Sequence, residues 1–85
     1  MTPAFHKRAS TRSIESRTLI RNALVAALDD SELSVRWPAV VKLGELGDPA
    51  ARAALEKALG DRDFLVRSSA ARALEQMGNS PPAPP

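Results

Sequence analysis

The sequence predicts an all-α protein built as a short stack of two similar helical units, and three observations support this fold class. The chain repeats itself with a period of 31 residues, it contains 15 alanines, and no stretch shows the alternation of apolar and polar residues of a half-buried strand. Alanine is the strongest helix former, and its small side chain lets helices approach closely. The 85 residues allow one domain at most, and a chain this short buries only about 60% of its unfolded surface.

The internal repeat aligns residues 17–47, called unit 1 below, with residues 48–78, called unit 2. Eleven of the 31 aligned positions are identical, and they are concentrated at apolar and turn-forming residues. Self-similarity at a fixed period indicates an architecture in which each unit buries its apolar face against the next. The identical pairs are Arg21/Arg52, Ala23/Ala54, Leu24/Leu55, Ala27/Ala58, Leu28/Leu59, Asp30/Asp61, Val35/Val66, Arg36/Arg67, Ala39/Ala70, Leu43/Leu74 and Gly47/Gly78.

Each unit contains two helical patterns, so four helices are predicted. The first helix of each unit is indicated by leucines and alanines four positions apart, and the second by apolar residues that follow one helix stripe. The stripe residues are Val35, Ala39, Leu43 and Leu46 in unit 1 and Val66, Ala70, Leu74 and Met77 in unit 2. We expect helices near residues 14–28, 32–46, 49–59 and 63–77.

Turn-forming residues separate these helices. The tripeptide Gly47-Asp48-Pro49 predicts a compact stop and restart, because glycine suits a left-handed helix end, aspartate an N-cap and proline the first helical position. Asp63 is a similar N-cap candidate before the fourth helix. Pro38 lies inside the predicted second helix, where it removes one backbone hydrogen bond and should bend the helix.

The chain ends differ in composition from the repeat domain, which we place at residues 13–78. Residues 1–12 are expected to form a flexible basic arm, and residues 79–85 a disordered proline-rich tail. Residues 1–21 contain five Lys or Arg residues and one Glu. The rest of the chain contains seven Lys or Arg residues and nine Asp or Glu residues. Such an arm could touch nucleic acid or an acidic protein, although a solvated arm is the simpler interpretation. The tail fits the P-x-x-P docking pattern twice, which composition alone also produces.

The pattern of the two units resembles a known family. An Asp is followed by Val-Arg, then by Ala and Leu three and seven residues after the Arg, and then by Gly-Asp-Pro, as in "DDSELSVRWPAVVKLGELGDP". Unit 2 continues with "GDRDFLVRSSAARALEQMG". Over about residues 17–78 this resembles the HEAT repeat, specifically the short type named after phycobilisome lyases. The resemblance implies a short right-handed α-solenoid of about four antiparallel helices, used as a protein-binding scaffold.

Two acid–base pairs of equal spacing, Asp30/Arg36 and Asp61/Arg67, are candidates for a ladder between the units. Each pair places a carboxylate at a helix entrance and a guanidinium on the second turn. An Arg there can reach the Asp of the neighbouring unit and the carbonyls of the turn, which would tie adjacent repeats together. A substrate-binding ladder is the alternative. The family's Asp and Arg match these four positions, so the resemblance implies the structural role.

Three apolar residues are candidates for protein binding. Trp37 lies off the core stripe, and tryptophan is enriched among interface hot spots, although it could instead pack against the first helix or beside Pro38. Leu74 and Met77 end the last helix, and a solenoid usually needs about three units with polar caps. We therefore expect the chain to bind another protein, or a second copy of itself as a homodimer, through an uncapped end of the stack.

Residue types that support catalysis or metal binding are scarce. The chain has no cysteine and one histidine, His6, so neither a metal nor a cofactor is expected. We find no nucleophile–base pair, glycine-rich phosphate loop or carboxylate cluster, which argues against an enzyme. No apolar run approaches the roughly 18 residues of a membrane span, and we expect a cytoplasmic protein.

The function predicted from these observations is a non-catalytic scaffold or adaptor that binds another protein. One alternative is a nucleic-acid-associated protein that uses the basic N-terminal arm. The other is an accessory protein related to bilin lyases, which the family resemblance suggests. Two short units leave little room to enclose a tetrapyrrole, so bilin attachment itself is not expected.

Overall fold

Four α-helices make up most of the computed structural model, which describes the backbone of residues 3–78 and the side chains of residues 15–78. No strand occurs within residues 3–78, and the predicted all-α fold is confirmed. A 3-10 turn at Pro49–Ala51 precedes the third helix. The helices are α1 (Pro3–Ala27), α2 (Leu33–Leu46), α3 (Arg52–Ala58) and α4 (Phe64–Gly78).

The first helix is longer than predicted, because α1 begins at Pro3 instead of near residue 14. Proline is tolerated in the first turn of a helix, where its missing N–H has no helical partner, and no other glycine or proline precedes Pro38. The backbone is therefore helical through most of residues 1–12, where we expected a flexible arm. Residues 79–85, the expected disordered tail, lie outside the described residues.

The turn between α2 and α3 has the predicted geometry. Gly47 adopts the left-handed conformation with φ 62° and ψ 24°, and its N–H donates to the carbonyl oxygen of Leu43 at 3.1 Å. Asp48 accepts a hydrogen bond from the Ala50 N–H at 2.9 Å, with Pro49 at the first position of the 3-10 turn. Such a turn reverses the chain within three residues, so α3 can fold back and bring α4 against α2.

The helices pair in sequence, α1 with α2 and α3 with α4, and α4 also packs against α2. The core lies where these contacts meet, and its largest fully buried side chains are Val40, Leu43, Leu55 and Val66. Half-buried residues surround this core: Leu24, Val25, Leu28, Leu33, Leu74 and Met77. Two residues of the predicted α2 stripe, Val35 in the first turn and Leu46 in the last, are instead exposed.

The contact between α2 and α4 depends on small side chains. A Cβ atom placed on Gly44 would lie 2.7 Å from the Cβ atom of Ala73, which is too close for two carbon atoms that are not bonded to each other. Both residues are buried. The helices can therefore reach this separation only because position 44 has no side chain, and a larger residue would push α4 away from the core.

Replacing Leu43 by Ala should lower the free energy of unfolding by about 2 to 5 kcal/mol, because the substitution leaves a cavity in the core. Leu46→Ala is the matched control on the same helix, where 46% of the side chain is exposed, and it should cost less than about 1 kcal/mol. Urea unfolding measures both values. Equal losses for the two variants would mean that the core is not centred on Leu43.

Candidate functional site

The most completely bonded polar side chain is Arg36, which is only 3% exposed at the junction of the two units. Its Nε and Nη2 atoms donate to the two carboxylate oxygens of Asp61 at 3.0 and 3.3 Å. Its Nη1 atom donates to the carbonyl oxygens of Asp30 and Ser31 at 3.1 and 3.0 Å. This two-pronged ion pair connects unit 1 to unit 2 and fixes the turn that leads into α2.

The carboxylate of Asp61 is held in place from both units. Burial raises the pKa of this group, but the hydrogen bonds from the Asp63 N–H and from Arg36 outweigh burial and lower the pKa below the ordinary value of 3.8. The positive charge of Arg62 acts in the same direction. The Asp63 N–H lies 2.8 Å from the carboxylate. The lowered pKa means that the carboxylate of Asp61 stays ionised in the folded protein at neutral pH.

The other two members of the predicted ladder, Asp30 and Arg67, are not brought together. Arg67 donates from Nη1 to the carbonyl oxygen of Asp61 at 2.9 Å, and its guanidinium lies 5.9 Å from the centre of the Phe64 ring. Asp30 accepts a hydrogen bond from the Glu32 N–H at 2.9 Å. Neither forms an ion pair among the side chains of residues 15–78, and both are exposed.

A second ion pair between the units was missed by the sequence analysis. Arg21 on α1 donates to Asp48 at 3.0 Å, with both side chains partly buried. The hydrogen bond from the Ala50 N–H, and then that from Arg21, lowers the pKa of Asp48 below 3.8. Asp48 aligns with Arg17 in unit 1, so the repeat offered no matching pair from which to predict this contact.

A cleft of about 510 Å³ opens between the ends of α1 and α3. Two ion pairs lie in its lining: Arg36 pairs with Asp61, and the Lys57 Nζ atom lies 3.6 Å from Oδ1 of Asp29. Arg62 donates to the carbonyl oxygen of Ser31 at 2.8 Å. Within the described residues, no group of three or more His, Cys, Asp or Glu side chains is placed to hold a metal ion. These contacts join the two turns and present no set of groups arranged for proton transfer or nucleophilic attack.

The candidate binding residue Trp37 lies on the outside of α2 and is 40% exposed. Its indole N–H donates to the hydroxyl of Ser69 on α4 at 2.9 Å, so the ring leans towards α4 and not towards α1. This hydrogen bond was not predicted. A shallow groove of about 340 Å³ runs beside the ring, and we call its lining the Trp37 groove: Trp37, Pro38, Val41, Lys42 and Glu45.

The other two candidate binding residues, Leu74 and Met77, are half-buried and pack against the core. The large apolar side chains of unit 2 that are exposed are Leu59, Phe64 and Leu65, at 42%, 68% and 40%. We had assigned Leu59 to the apolar pattern of the third helix, and we had assigned no role to Phe64 or Leu65. The side chain of His6 and the basic side chains of the first twelve residues lie outside the described side chains, as does the P-x-x-P tail.

The pairing of helices, the repeated turns and the ion pair between units define a short α-solenoid. A family model of HEAT repeats matches residues 21–85, so the chain belongs to the HEAT repeat family, as the sequence pattern predicted. The narrower resemblance to repeats of phycobilisome lyases stays a prediction. No curated protein and no solved structure matches the chain. None of the helices within residues 3–78 is both long and apolar enough to cross a membrane.

Replacing Arg36 by Ala should lower the free energy of unfolding by about 3 kcal/mol or more, because it leaves the carboxylate of Asp61 partly buried without its cation. Arg67→Ala is the matched control at the corresponding position of unit 2. It should cost less than about 1 kcal/mol, since Arg67 is exposed and makes one hydrogen bond. Thermal or urea unfolding of the two variants decides this, and a larger loss for Arg67→Ala would contradict the assignment.

Acid should destabilise the protein through Asp61 and Asp48. Because the folded pKa of each lies below 3.8, their contribution to stability is complete well above pH 3.8 and is lost as the pH falls through the lowered folded pKa. We expect the Asp61→Asn variant to be less stable at neutral pH and to lose less stability on acidification. Urea unfolding from about pH 7 to about pH 2 measures how the free energy of unfolding of each protein changes with pH. Parallel pH curves for variant and wild type would show that Asp61 does not titrate as inferred.

Proposed function

We propose that the protein is a non-catalytic interaction scaffold that binds a partner protein through the Trp37 groove. The observation that carries this proposal is the exposure of a tryptophan whose only polar atom is already satisfied by Ser69. What the ring offers to a partner is therefore apolar surface in a fixed orientation. Tryptophan is among the residues that are enriched at the hot spots of protein interfaces.

The surroundings of the ring support the same proposal. Pro38 and Val41, which is 40% exposed, extend the apolar floor of the groove. Lys42 and Glu45 form its charged rim, and the Lys42 Nζ atom lies 3.5 Å from Oε1 of Glu45. An apolar floor with a polar rim is the usual composition of a protein-binding surface. The partner we propose is a protein segment that inserts an apolar side chain beside Trp37 and places polar groups over the rim.

The described residues favour binding over catalysis. Four charged side chains of the cleft between α1 and α3 already pair with one another, Arg36 with Asp61 and Lys57 with Asp29, and HEAT repeats commonly act as protein-interaction scaffolds. The absence of cysteine from the sequence is compatible with the cytoplasm, where we place the protein. The basic side chains before residue 15 lie outside the described side chains, and binding to nucleic acid is therefore kept as an outcome of the experiment.

The experiment compares proteins retained from a cell lysate by the immobilised wild type, by Trp37→Ser and by the control Leu46→Ser. Leu46 is exposed on the same helix but outside the groove. We expect one or more proteins to be retained by the wild type and the control and lost with Trp37→Ser. Circular dichroism of each variant shows whether it remains folded.

A purified candidate partner is then titrated into the wild type while fluorescence is recorded. Trp37 is the only tryptophan of the chain, so its emission reports directly on the groove. Burial of the ring should shift the emission to shorter wavelength. Equal retention by Trp37→Ser and the wild type, no shift on binding, or recovery of nucleic acid alone would overturn the proposal.

A further inference from the structure

Pro38 occupies a position in α2 where proline removes a hydrogen bond of the helix. In an α-helix the N–H of each residue donates to the carbonyl oxygen four residues earlier, and proline has no N–H. The carbonyl oxygen of Ser34 therefore receives no hydrogen bond from position 38. Pro49 differs in this respect, because it stands at the first position of its 3-10 turn, where no such bond is lost.

Among the side chains of residues 15–78, none replaces the missing donor at Ser34. The side-chain groups of these residues that donate to backbone carbonyls bind four other residues: Asp30, Ser31, Asp61 and Leu65. Ser34 and Pro38 are both exposed, so water can hydrate this carbonyl oxygen in the free protein. The Ser34 carbonyl is therefore an acceptor that another molecule can reach.

Unit 2 shows that a helix of this kind does not require proline at this position. Ser69 aligns with Pro38 and Leu65 with Ser34, and α4 is helical across both residues. Pro38 is exposed and lies outside the core cluster, and proline is the least favourable residue in a helix interior. A residue that weakens its own helix and fills no space in the core points to a role in binding.

The open carbonyl lies beside the Trp37 groove. Helical carbonyls point towards the C-terminal end of their helix, so the carbonyl of Ser34 points at the ring of Pro38, which lines the groove. Along a helix, the distance from Ser34 to Val41 is about 10 Å, which is the length of about three residues of an extended chain. An extended segment can therefore place one side chain on the apolar floor of the groove and a backbone N–H at Ser34.

The position of Ser34 favours a neutral donor over a charged one. Ser34 is the second residue of α2, and the partial positive charge of a helix N-terminus disfavours a lysine or arginine of the partner at this place. A backbone N–H is neutral, and the small side chain of Ser34 leaves room for another backbone to approach.

We propose that the Trp37 groove binds an extended protein segment, which packs an apolar side chain beside Trp37 and donates one backbone N–H to the carbonyl oxygen of Ser34. This inference rests on the proposed function and adds to it the form of the partner and the role of Pro38, which keeps the acceptor free. A segment that lacks the N–H at that point leaves the covered carbonyl without a hydrogen bond, so the contact is selective.

The probe is a library of random peptides displayed on phage and selected on the immobilised wild type. Peptides that lose binding to Trp37→Ser are synthesised, and their amides are N-methylated one at a time, which removes one N–H from each product. We expect methylation of one particular amide to weaken binding to the wild type at least about tenfold.

Pro38→Ala is the variant that tests the inference, because alanine supplies an N–H at position 38 that bonds to the carbonyl oxygen of Ser34 inside the helix. The unmethylated peptide should bind this variant more weakly than the wild type. Methylation of the same amide should then change the affinity by less than about twofold, because the two changes remove the same hydrogen bond.

Val41→Ala is the matched control, since it removes apolar surface from the floor of the same groove but leaves the carbonyl of Ser34 free. The penalty of methylation should therefore remain in Val41→Ala. Circular dichroism shows whether each variant is folded. Where Pro38→Ala does not fold, Pro38→Ser replaces it, because serine is the residue at the aligned position of unit 2.

Two results would overturn this inference while the proposed function stands. One is a set of peptides that depend on Trp37 but on no single N–H, and the other is an equal penalty of methylation for the wild type and Pro38→Ala. A library that yields no peptide dependent on Trp37 would overturn the groove as a binding site, and this inference with it.

Discussion

A guanidinium group buried between the two units sets the arrangement on which the rest of the structure depends. Removing Arg36 from water is favourable only because a carboxylate and two carbonyl oxygens replace its hydration, and these acceptors belong to two different turns. The geometry of a planar, two-pronged ion pair tolerates little displacement. The entrance of α4 is thereby held against the entrance of α2, and the apolar core closes beneath it.

The position of α4 relative to α2, which the Arg36–Asp61 pair holds, also determines a feature of the outer surface. The indole of Trp37 on α2 is oriented by a hydroxyl on α4, so the shape of the groove depends on the relative position of these two helices. Gly44 and Ala73 set how closely the helices approach, and Arg36 sets their register. Residues 3–78 form no sheet and only a modest core, yet they present a defined surface, because a few specific contacts determine the position of the second unit.

Features that depend on local sequence or on the repeat could be predicted, whereas contacts between aligned but non-identical residues could not. Gly47 and Asp48 signal their turn through intrinsic backbone preferences, and the equal spacing of Arg36 and Arg67 pointed to contacts between repeats. The repeat treats both arginines alike, but among the side chains of residues 15–78 only Arg36 meets a carboxylate of the other unit. The hydrogen bond from Trp37 to Ser69 follows from how α2 and α4 cross, which periodicity does not specify.

The close approach of Gly44 to Ala73 limits how such an array can be lengthened by duplication of its own coding sequence. If a copy of unit 2 were added after residue 78, the alanine of that copy that corresponds to Ala73 would lie against Glu75. At the contact between units 1 and 2, the residue that aligns with Glu75 is Gly44. The glutamate side chain would then occupy the space that the next helix needs, and its charge would be buried. Tandem copying of unit 2 alone is therefore self-limiting, and lengthening the chain requires a small residue at position 75.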